Sequence, residues 1–121
     1  MRGIGTDIVA ISRIAHLLER FPKRFVRRIL TPDEKRRADQ LADPLPFIAG
    51  RFSAKEALAK ALGSGIGSLL RWKEIEILNH PITGSPRITL LGEAQQRFDF
   101  PQMRVSISHC REYAIAYAHV S

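Results

Sequence analysis

The most informative stretch of this chain is RFSAKEALAKALG, which runs from Arg51 to Gly63. It belongs to a helix that we predict over residues 47–62, with Gly63 as a typical stop signal. On this helix Phe52, Glu56 and Lys60 recur every four residues and lie on one face. A carboxylate and an ammonium beside a glycine-rich turn suit a phosphate and its metal ion. The same spacing is equally typical of a plain Glu56–Lys60 salt bridge.

Apolar residues surround the two charges, so most of this helix is expected to be buried. A buried charge requires a partner or a ligand, which favours the ligand-binding alternative. The following loop, GSGIG at residues 63–67, would let backbone amides approach a phosphate closely. It matches neither the P-loop nor the dinucleotide-binding pattern, and a glycine after a helix is usually only a C-cap.

Alternating apolar residues and turn signals predict the remaining elements, working outward from this helix. Thr31, Pro32 and Glu34 form a strong helix start with a capping box, and Gly50 inside the long helix indicates a close contact. We predict strands at 3–9, 72–78, 87–91, 104–109 and 112–120, and further helices at 12–21, 31–41 and 92–98. The expected fold is α+β: one compact domain, residues 1–121, with a mostly antiparallel sheet packed on a long helix.

Composition narrows the class of protein. Hydrophobic residues make up 45% of 121 residues, which predicts a packed core. The single cysteine, Cys110, excludes an intramolecular disulfide and a cysteine-rich zinc site. No stretch approaches the roughly 20 apolar residues that span a membrane, and the first residues do not resemble a signal peptide. We therefore expect a cytoplasmic protein with no membrane partner.

The net charge of +7 is unevenly distributed. Nine of the 19 basic residues lie between Arg13 and Arg37. Such a local excess attracts an acidic protein, a nucleic acid or a phosphate-rich ligand, although it is also compatible with a simple solvated surface. The few aromatic residues are not interleaved with the basic cluster, which argues against base stacking and a nucleic-acid partner.

Two further residues, Asp7 and His109, each allow two interpretations. Asp7 lies in a strand that is otherwise apolar or glycine, where an unpaired carboxylate is costly. It is either a metal or catalytic carboxylate, or an acid that caps the next helix or meets an arginine. His109 shares strand parity with Val105 and Ile107, so it is either a core histidine or, at the strand end, a ligand contact.

Three motifs in combination resemble one known family. They are GIGTDIV at residues 3–9 with Arg13 and Ile14, RFSAKEA at 51–57 with KALG at 60–63, and VSISH at 105–109. In this order and at this length they resemble the holo-[acyl-carrier-protein] synthases, the small bacterial-type 4′-phosphopantetheinyl transferases. The resemblance runs nearly from end to end.

The resemblance implies an enzyme of fatty acid biosynthesis. Such enzymes transfer 4′-phosphopantetheine from coenzyme A to a serine of an apo acyl carrier protein, release adenosine 3′,5′-bisphosphate and require Mg²⁺. It also implies the 4′-phosphopantetheinyl transferase fold and a homotrimer with active sites between subunits. Cleaving a pyrophosphate needs charge neutralised on its oxygens, which a hard cation held by two carboxylates can do.

The resemblance also assigns residues to roles. Asp7 and Glu56 are the expected metal ligands and, with Lys60, the catalytic residues; the base that takes the serine proton is either Glu56 or a metal-bound water. The expected coenzyme A contacts are Arg51, Lys60, Gly63, Ser64, Gly65, Gly84, Pro86 and His109. The expected contacts with the acidic carrier protein are Arg13, Arg20, Arg24 and Phe25.

Two other classes of protein remain as alternatives. A basic nucleic-acid-binding module would use the Arg13–Arg37 surface and need no magnesium carboxylates. A non-catalytic coenzyme A-binding protein would bind the ligand without turnover.

Overall fold

A computed structural model describes residues 3–121 of the chain. Its strands are β1 (Gly3–Ala10), β2 (Ile75–Asn79), β3 (Pro86–Leu90), β4 (Met103–His109) and β5 (Tyr113–Val120). Its α-helices are α1 (Ile11–Arg20), α2 (Pro22–Ile29), α3 (Pro32–Asp39), α4 (Leu45–Ala61) and α5 (Ala94–Arg97), and a 3₁₀ turn covers Trp72–Glu74. None of these helices is long and apolar enough to span a bilayer.

The strands form two antiparallel sheets. One has the order β1-β5-β4, and the other pairs β2 with β3. Helix α4 packs across β1, β5 and β4, and its buried residues contribute to both hydrophobic clusters of the core. The expected α+β fold, with antiparallel strands packed on a long helix, is confirmed.

Glycines set the distance between β1 and α4. A Cβ at Gly3 would lie 2.3 Å from the carbonyl oxygen of Ala61, and one at Gly5 would lie 2.1 Å from that of Ala57. No other residue type fits at such separations. Because side chains alternate along a strand, Asp7 projects from the same face as the two glycines. Because Gly3 and Gly5 have no side chains, β1 lies close to α4, and the Asp7 carboxylate therefore lies against this helix.

A close contact also explains Gly50, as predicted. A Cβ at this position would lie 3.1 Å from Cγ2 of Ile107. Gly50 thus lets α4 pack tightly on β4, and this contact compensates for the roughly 1 kcal/mol that glycine costs inside a helix.

A buried ion pair connects three elements of the core. The Lys55 ammonium on α4 lies 2.6 Å from Glu34 Oε1 on α3, and both side chains are fully buried. Lys55 also donates to the carbonyls of Ile29 and Trp72. Glu34 accepts from the backbone N–H of Thr31, within the predicted capping box, and from that of Ile77 on β2. All these groups are therefore satisfied, as buried charges must be.

Helix α2 was not predicted. Pro22 ends α1 as expected, but it is also the first residue of a new helix, a position that proline favours. Helix α2 is short and strongly basic, and its apolar residues Phe25, Val26 and Ile29 pack on the core. The predicted strand at 72–78 begins only at Ile75, because residues 72–74 form the 3₁₀ turn; Ile75 and Ile77 face inward, as expected.

Candidate active site

Asp7, Glu56 and Lys60 meet where β1 crosses the second half of α4. The Lys60 ammonium donates to the carbonyl of Thr6 at 2.9 Å and lies 3.3 Å from Asp7 Oδ1. The Ser53 hydroxyl donates to the carbonyl of Asp7 at 3.0 Å. Helix α4 therefore holds the backbone of β1 on both sides of the Asp7 side chain.

One oxygen of Asp7 has no partner among residues 3–121. Oδ2 is buried and forms no hydrogen bond within the described part of the chain. A buried carboxylate oxygen without a donor is costly, because it has lost its hydration without replacement. Such an atom is typical of a position that receives a cation.

Glu56 is the second carboxylate of this cluster. Burial raises its pKa, and the negative charge of Asp7 raises it further, while Lys60 and Arg13 act in the opposite direction. The two carboxylates are therefore close enough to repel each other. Among residues 3–121 no group of three or more His, Cys, Asp or Glu side chains could hold a metal. A cation here would thus have two protein carboxylates and take its remaining ligands from elsewhere.

The simple salt bridge between Glu56 and Lys60 does not form. Lys60 reaches across to β1 and pairs with Asp7, a residue 53 positions away in sequence. About half of the Lys60 side chain remains exposed. Its ammonium group is consequently available to a ligand beside the two carboxylates.

Four of the expected coenzyme A contacts line one cavity. Arg51, Gly84, Pro86 and His109 surround a volume of about 470 Å³ between α4, the β2–β3 turn and the end of β4. His109 is exposed at the rim, so it is not a core histidine. The expectation that it lies at a ligand-accessible strand end agrees with this position.

Arg51 organises the cavity wall. Its guanidinium donates to the carbonyl of Ile77 at 2.8 Å and to the side-chain oxygen of Asn79. Asn79 in turn donates to the carbonyl of Gly84 at 2.8 Å, which anchors the β2–β3 turn. Gly84 has φ +75°, a conformation that favours glycine. Burial lowers the pKa of Arg51 to about 10, so the group stays charged at neutral pH.

The loop at Gly63, Ser64 and Gly65 terminates α4. The three amides already donate to helix carbonyls: Gly63 to Lys60, and both Ser64 and Gly65 to Ala59. We expected these amides to approach a phosphate. In this conformation their hydrogen bonds to the helix carbonyls leave them unavailable for that contact. Gly63 and Gly65 have φ +87° and +63°, so the turn geometry requires glycine at both positions.

The expected carrier-protein contacts lie together on α1 and α2. The Arg13 guanidinium sits over the ring of Phe52 at 5.7 Å, and Phe25 stacks on the same ring at 6.3 Å. Arg20 and Arg24 both lie over the ring of Phe21 at 5.5 Å. Phe52 shares a helix face with Glu56, so this surface adjoins the carboxylate cluster.

The carboxylate cluster and the Arg51–His109 cavity are separate in one copy of the chain. None of Asp7, Glu56 and Lys60 lines the cavity, and Arg51 projects from a different side of α4 than Glu56 does. The outer face of the β1-β5-β4 sheet carries apolar side chains along β1 and β5: Ile4, Ile8, Ile115 and Tyr117 are each roughly half exposed. A face of this kind is typical of a protein–protein contact.

Sequence reasoning missed four residues that position the site: Ser53, Lys55, Asn79 and Glu34. Lys55 and Ser53 were predicted only as part of a buried helix. A lysine on an apolar helix was a signal that a buried carboxylate should exist elsewhere, because a buried ammonium needs a partner. Nothing in the local sequence identified that partner as Glu34.

Comparison with known proteins gives consistent matches over the whole chain. The sequence profile of the 4′-phosphopantetheinyl transferase superfamily matches residues 3–118. A holo-[acyl-carrier-protein] synthase of Chlamydia pneumoniae is 43% identical over 115 residues, which are 95% of this chain and 93% of that protein.

Solved structures agree with this match. The Helicobacter pylori holo-[acyl-carrier-protein] synthase in complex with coenzyme A superposes with a TM-score of 0.88 at 41% identity, covering 98% of this chain and 99% of that one. The Neisseria meningitidis enzyme gives a TM-score of 0.91 at 34% identity, covering 100% and 98%.

Proposed function

The chain belongs to the holo-[acyl-carrier-protein] synthases of the 4′-phosphopantetheinyl transferase superfamily, and we propose that Asp7, Glu56 and Lys60 form its reaction centre. The substrates are coenzyme A and an apo acyl carrier protein. The serine hydroxyl oxygen attacks the phosphorus that bears pantetheine. The bond from that phosphorus to the oxygen of the departing nucleotide phosphate breaks, which releases adenosine 3′,5′-bisphosphate.

The observation that carries this proposal is the unpartnered oxygen of Asp7 beside Glu56. Two carboxylates and no nitrogen or sulfur donor are the ligands that Mg²⁺ prefers. We infer that Asp7 and Glu56 hold Mg²⁺, with substrate phosphate oxygens and waters as the other ligands. When bound, the ion supplies positive charge to the pyrophosphate oxygens as a Lewis acid.

Lys60 and Glu56 supply the remaining chemistry. The Lys60 ammonium, held beside Asp7 and half exposed, stabilises negative charge on the transferring phosphoryl group. The Glu56 carboxylate accepts the proton of the attacking serine.

The cavity lined by Arg51, Gly84, Pro86 and His109 is proposed to receive the nucleotide end of coenzyme A. Its volume of about 470 Å³ is within the usual range for small-molecule sites. Arg51 stays charged there, and the anchored Gly84 turn forms the rim. The 63–65 loop is proposed to shape the adjacent phosphate site, with Lys60 rather than the loop amides as the donor.

We propose that the enzyme is a homotrimer in which the two halves of the site come from neighbouring subunits. Two observations support this assembly. The carboxylate cluster and the nucleotide cavity lie apart in one copy, and the outer sheet face exposes Ile4, Ile8, Ile115 and Tyr117. Covering that face with two further copies would bury it and complete each site.

The proposed assembly predicts that Ile115→Glu/Tyr117→Glu separates the subunits. Both side chains point outward from the central strand β5, so the variant should fold but appear as a monomer in light scattering, and transfer should fall at least tenfold. Mixing two weakly active variants, Asp7→Asn and His109→Ala, should restore activity, because mixed trimers contain sites with both residues intact. A trimer that survives the double substitution, or mixtures without recovery, would contradict the shared site.

The function itself is tested by intact-mass spectrometry. An apo carrier protein incubated with this protein, coenzyme A and Mg²⁺ should gain the mass of one phosphopantetheine group, and should gain none when EDTA removes the metal. Transfer that continues unchanged in EDTA would exclude the metal assignment. Absence of transfer, combined with tight binding of coenzyme A, would favour a non-catalytic binding protein.

A further inference from the structure

The Asn79 side chain connects two walls of the Arg51–His109 cavity. One wall is α4, which contributes Arg51, and the other is the β2–β3 turn, which contributes Gly84 and Pro86. Asn79 Oδ1 accepts a hydrogen bond from Nη2 of Arg51, and Asn79 Nδ2 donates to the Gly84 carbonyl at 2.8 Å. Only this orientation of the amide places its oxygen at a donor and its nitrogen at an acceptor. Both polar atoms of the side chain are thus used to join α4 to the turn.

The β2–β3 turn is also closed by its own backbone. His80 donates to the carbonyl of Ser85 at 2.8 Å, and Gly84 donates to the carbonyl of His80 at 2.9 Å. These two bonds shape the turn but do not reach α4. The contact between the two walls runs instead through the Arg51–Asn79–Gly84 chain of hydrogen bonds, which we call the Asn79 bridge.

The Arg51 guanidinium is held from three directions. Its Nε donates to the Ile77 carbonyl at 2.8 Å, and its Cζ lies 4.2 Å from the ring centroid of Phe47. The Ile77 side is fixed, because the N–H of the same residue donates to the buried Glu34 carboxylate at 2.8 Å. Asn79 supplies the third contact, which determines the direction in which the guanidinium faces.

A guanidinium fixed in this way is suited to bind phosphate. Two of its five N–H donors go to Ile77 and Asn79, so others remain for the oxygens of a ligand in the cavity. Without the Asn79 bond the guanidinium would be freer to rotate, and binding would then have to immobilise it at a cost in entropy. Asn79 is exposed, so its replacement leaves the buried core unchanged.

We propose that Asn79 is a positioning residue that sets the affinity of the cavity for the nucleotide end of coenzyme A. It acts through two neighbours, because it orients Arg51 toward the phosphate oxygens and holds the Gly84 turn at the rim. This inference rests on the proposed function, in which the nucleotide enters this cavity. Asn79 takes no part in the transfer step, since Asp7 and Glu56 do not line the cavity.

Asn79→Ala is the main test, because it removes both hydrogen bonds and introduces no charge. We expect it to weaken the binding of adenosine 3′,5′-bisphosphate about tenfold, the size typical of a lost hydrogen bond to a charged group. Calorimetry without metal or carrier protein measures this binding. In the transfer assay the KM for coenzyme A should rise by a similar factor, while kcat and the KM for apo carrier protein stay within twofold. Gln95→Ala removes an exposed amide outside the cavity and should leave all of these values within twofold.

Arg51→Lys shows whether Asn79 acts through Arg51. Lysine keeps the positive charge but lacks the planar fork that Asn79 orients. In the Arg51→Lys background, Asn79→Ala should therefore weaken bisphosphate binding less than threefold further, whereas a role only in the stability of the turn would give the same loss in both backgrounds. Asn79→Gln keeps the amide on a longer side chain and should bind the bisphosphate more tightly than Asn79→Ala does. Thermal unfolding of each variant verifies that it is folded.

Three results would overturn the inference. They are bisphosphate binding by Asn79→Ala within twofold of the wild type, a fall in kcat with an unchanged KM for coenzyme A, and equal losses from Asn79→Ala in the wild-type and Arg51→Lys backgrounds. If the wild-type protein transfers nothing but binds the bisphosphate in an Asn79-dependent way, the proposed function fails while the positioning role stands. If the wild type transfers and Asn79→Ala transfers with unchanged kinetics, only the positioning role fails.

Discussion

Glu56→Gln and Asp7→Asn should each reduce phosphopantetheine transfer by about a thousandfold, equivalent to about 4 kcal/mol of transition-state stabilisation. Each substitution removes one of two proposed metal carboxylates and leaves the size of the side chain unchanged. The assay is the rate of mass gain on apo carrier protein at saturating coenzyme A and Mg²⁺. Glu93→Gln, an exposed carboxylate in a distant turn, is the matched control and should keep full activity.

The stability of the Glu56→Gln variant shows whether the Glu56 carboxylate serves the reaction or supports the fold. Burial and Asp7 raise the folded-state pKa of Glu56 above its ordinary value of 4.5, so folding disfavours the ionised form. This penalty is absent at pH values below the unfolded pKa and fully developed above the folded pKa. In EDTA, the Gln variant should therefore be at least as stable as the wild type near neutral pH and lose that advantage near pH 4.

Two outcomes would count against this assignment. Near-normal transfer by both variants would exclude Asp7 and Glu56 as metal ligands. A large loss of stability in metal-free Glu56→Gln would mean that the attraction of Glu56 to Lys60 and Arg13 outweighs its burial and its repulsion from Asp7, so that the carboxylate supports the fold.

Lys55→Met should cost about 3–5 kcal/mol of unfolding free energy, the largest stability effect that we expect from one substitution. The ammonium is fully buried and lies 2.6 Å from Glu34 Oε1. Methionine fills a similar volume but leaves the buried Glu34 carboxylate without its ion-pair partner. The carbonyls of Ile29 and Trp72 also lose their donor. Urea unfolding monitored by circular dichroism measures the change.

The double variant Lys55→Met/Glu34→Gln tests the cause of that loss. It removes the uncompensated charge, so it should be more stable than the sum of the single effects implies. Lys35→Met breaks an exposed pair with Asp39 and should change stability by less than about 1 kcal/mol. A loss of that small size in Lys55→Met would show that the buried pair does not connect α3, α4 and β2 energetically.

Much of the local structure was predictable from the sequence. The capping box at Thr31 and Glu34, the stop at Gly63 and the inward parity of Ile75 and Ile77 all follow from neighbours within one element. The close contact at Gly50 was also predictable, because glycine is unfavourable inside a helix unless packing requires it there. Helix α2 escaped prediction, because Pro22 serves as a stop for one helix and a start for the next.

The candidate site was only half predictable. Periodicity placed Glu56 and Lys60 on one face of α4, and strand alternation separated Asp7 from Ile4 and Ile8. Neither pattern could show that Lys60 pairs with Asp7 or that Lys55 pairs with Glu34, because the partners lie 53 and 21 residues apart. The sequence also suggested free amides at Gly63–Gly65, whereas the folded loop uses them to cap α4.

The sequence by itself determined the family, the chemical groups and the face of each element on which they lie, because 3.6- and 2-residue periods depend only on the local backbone. Only the tertiary structure decided which charges pair and which remain free. That outcome depends on how closely the elements approach, and here Gly3 and Gly5 set the approach by having no Cβ. At that distance Lys60 reaches Asp7 in place of Glu56. Within the part of the chain that the structure describes, Asp7 Oδ2 is left buried without a partner, beside the second carboxylate.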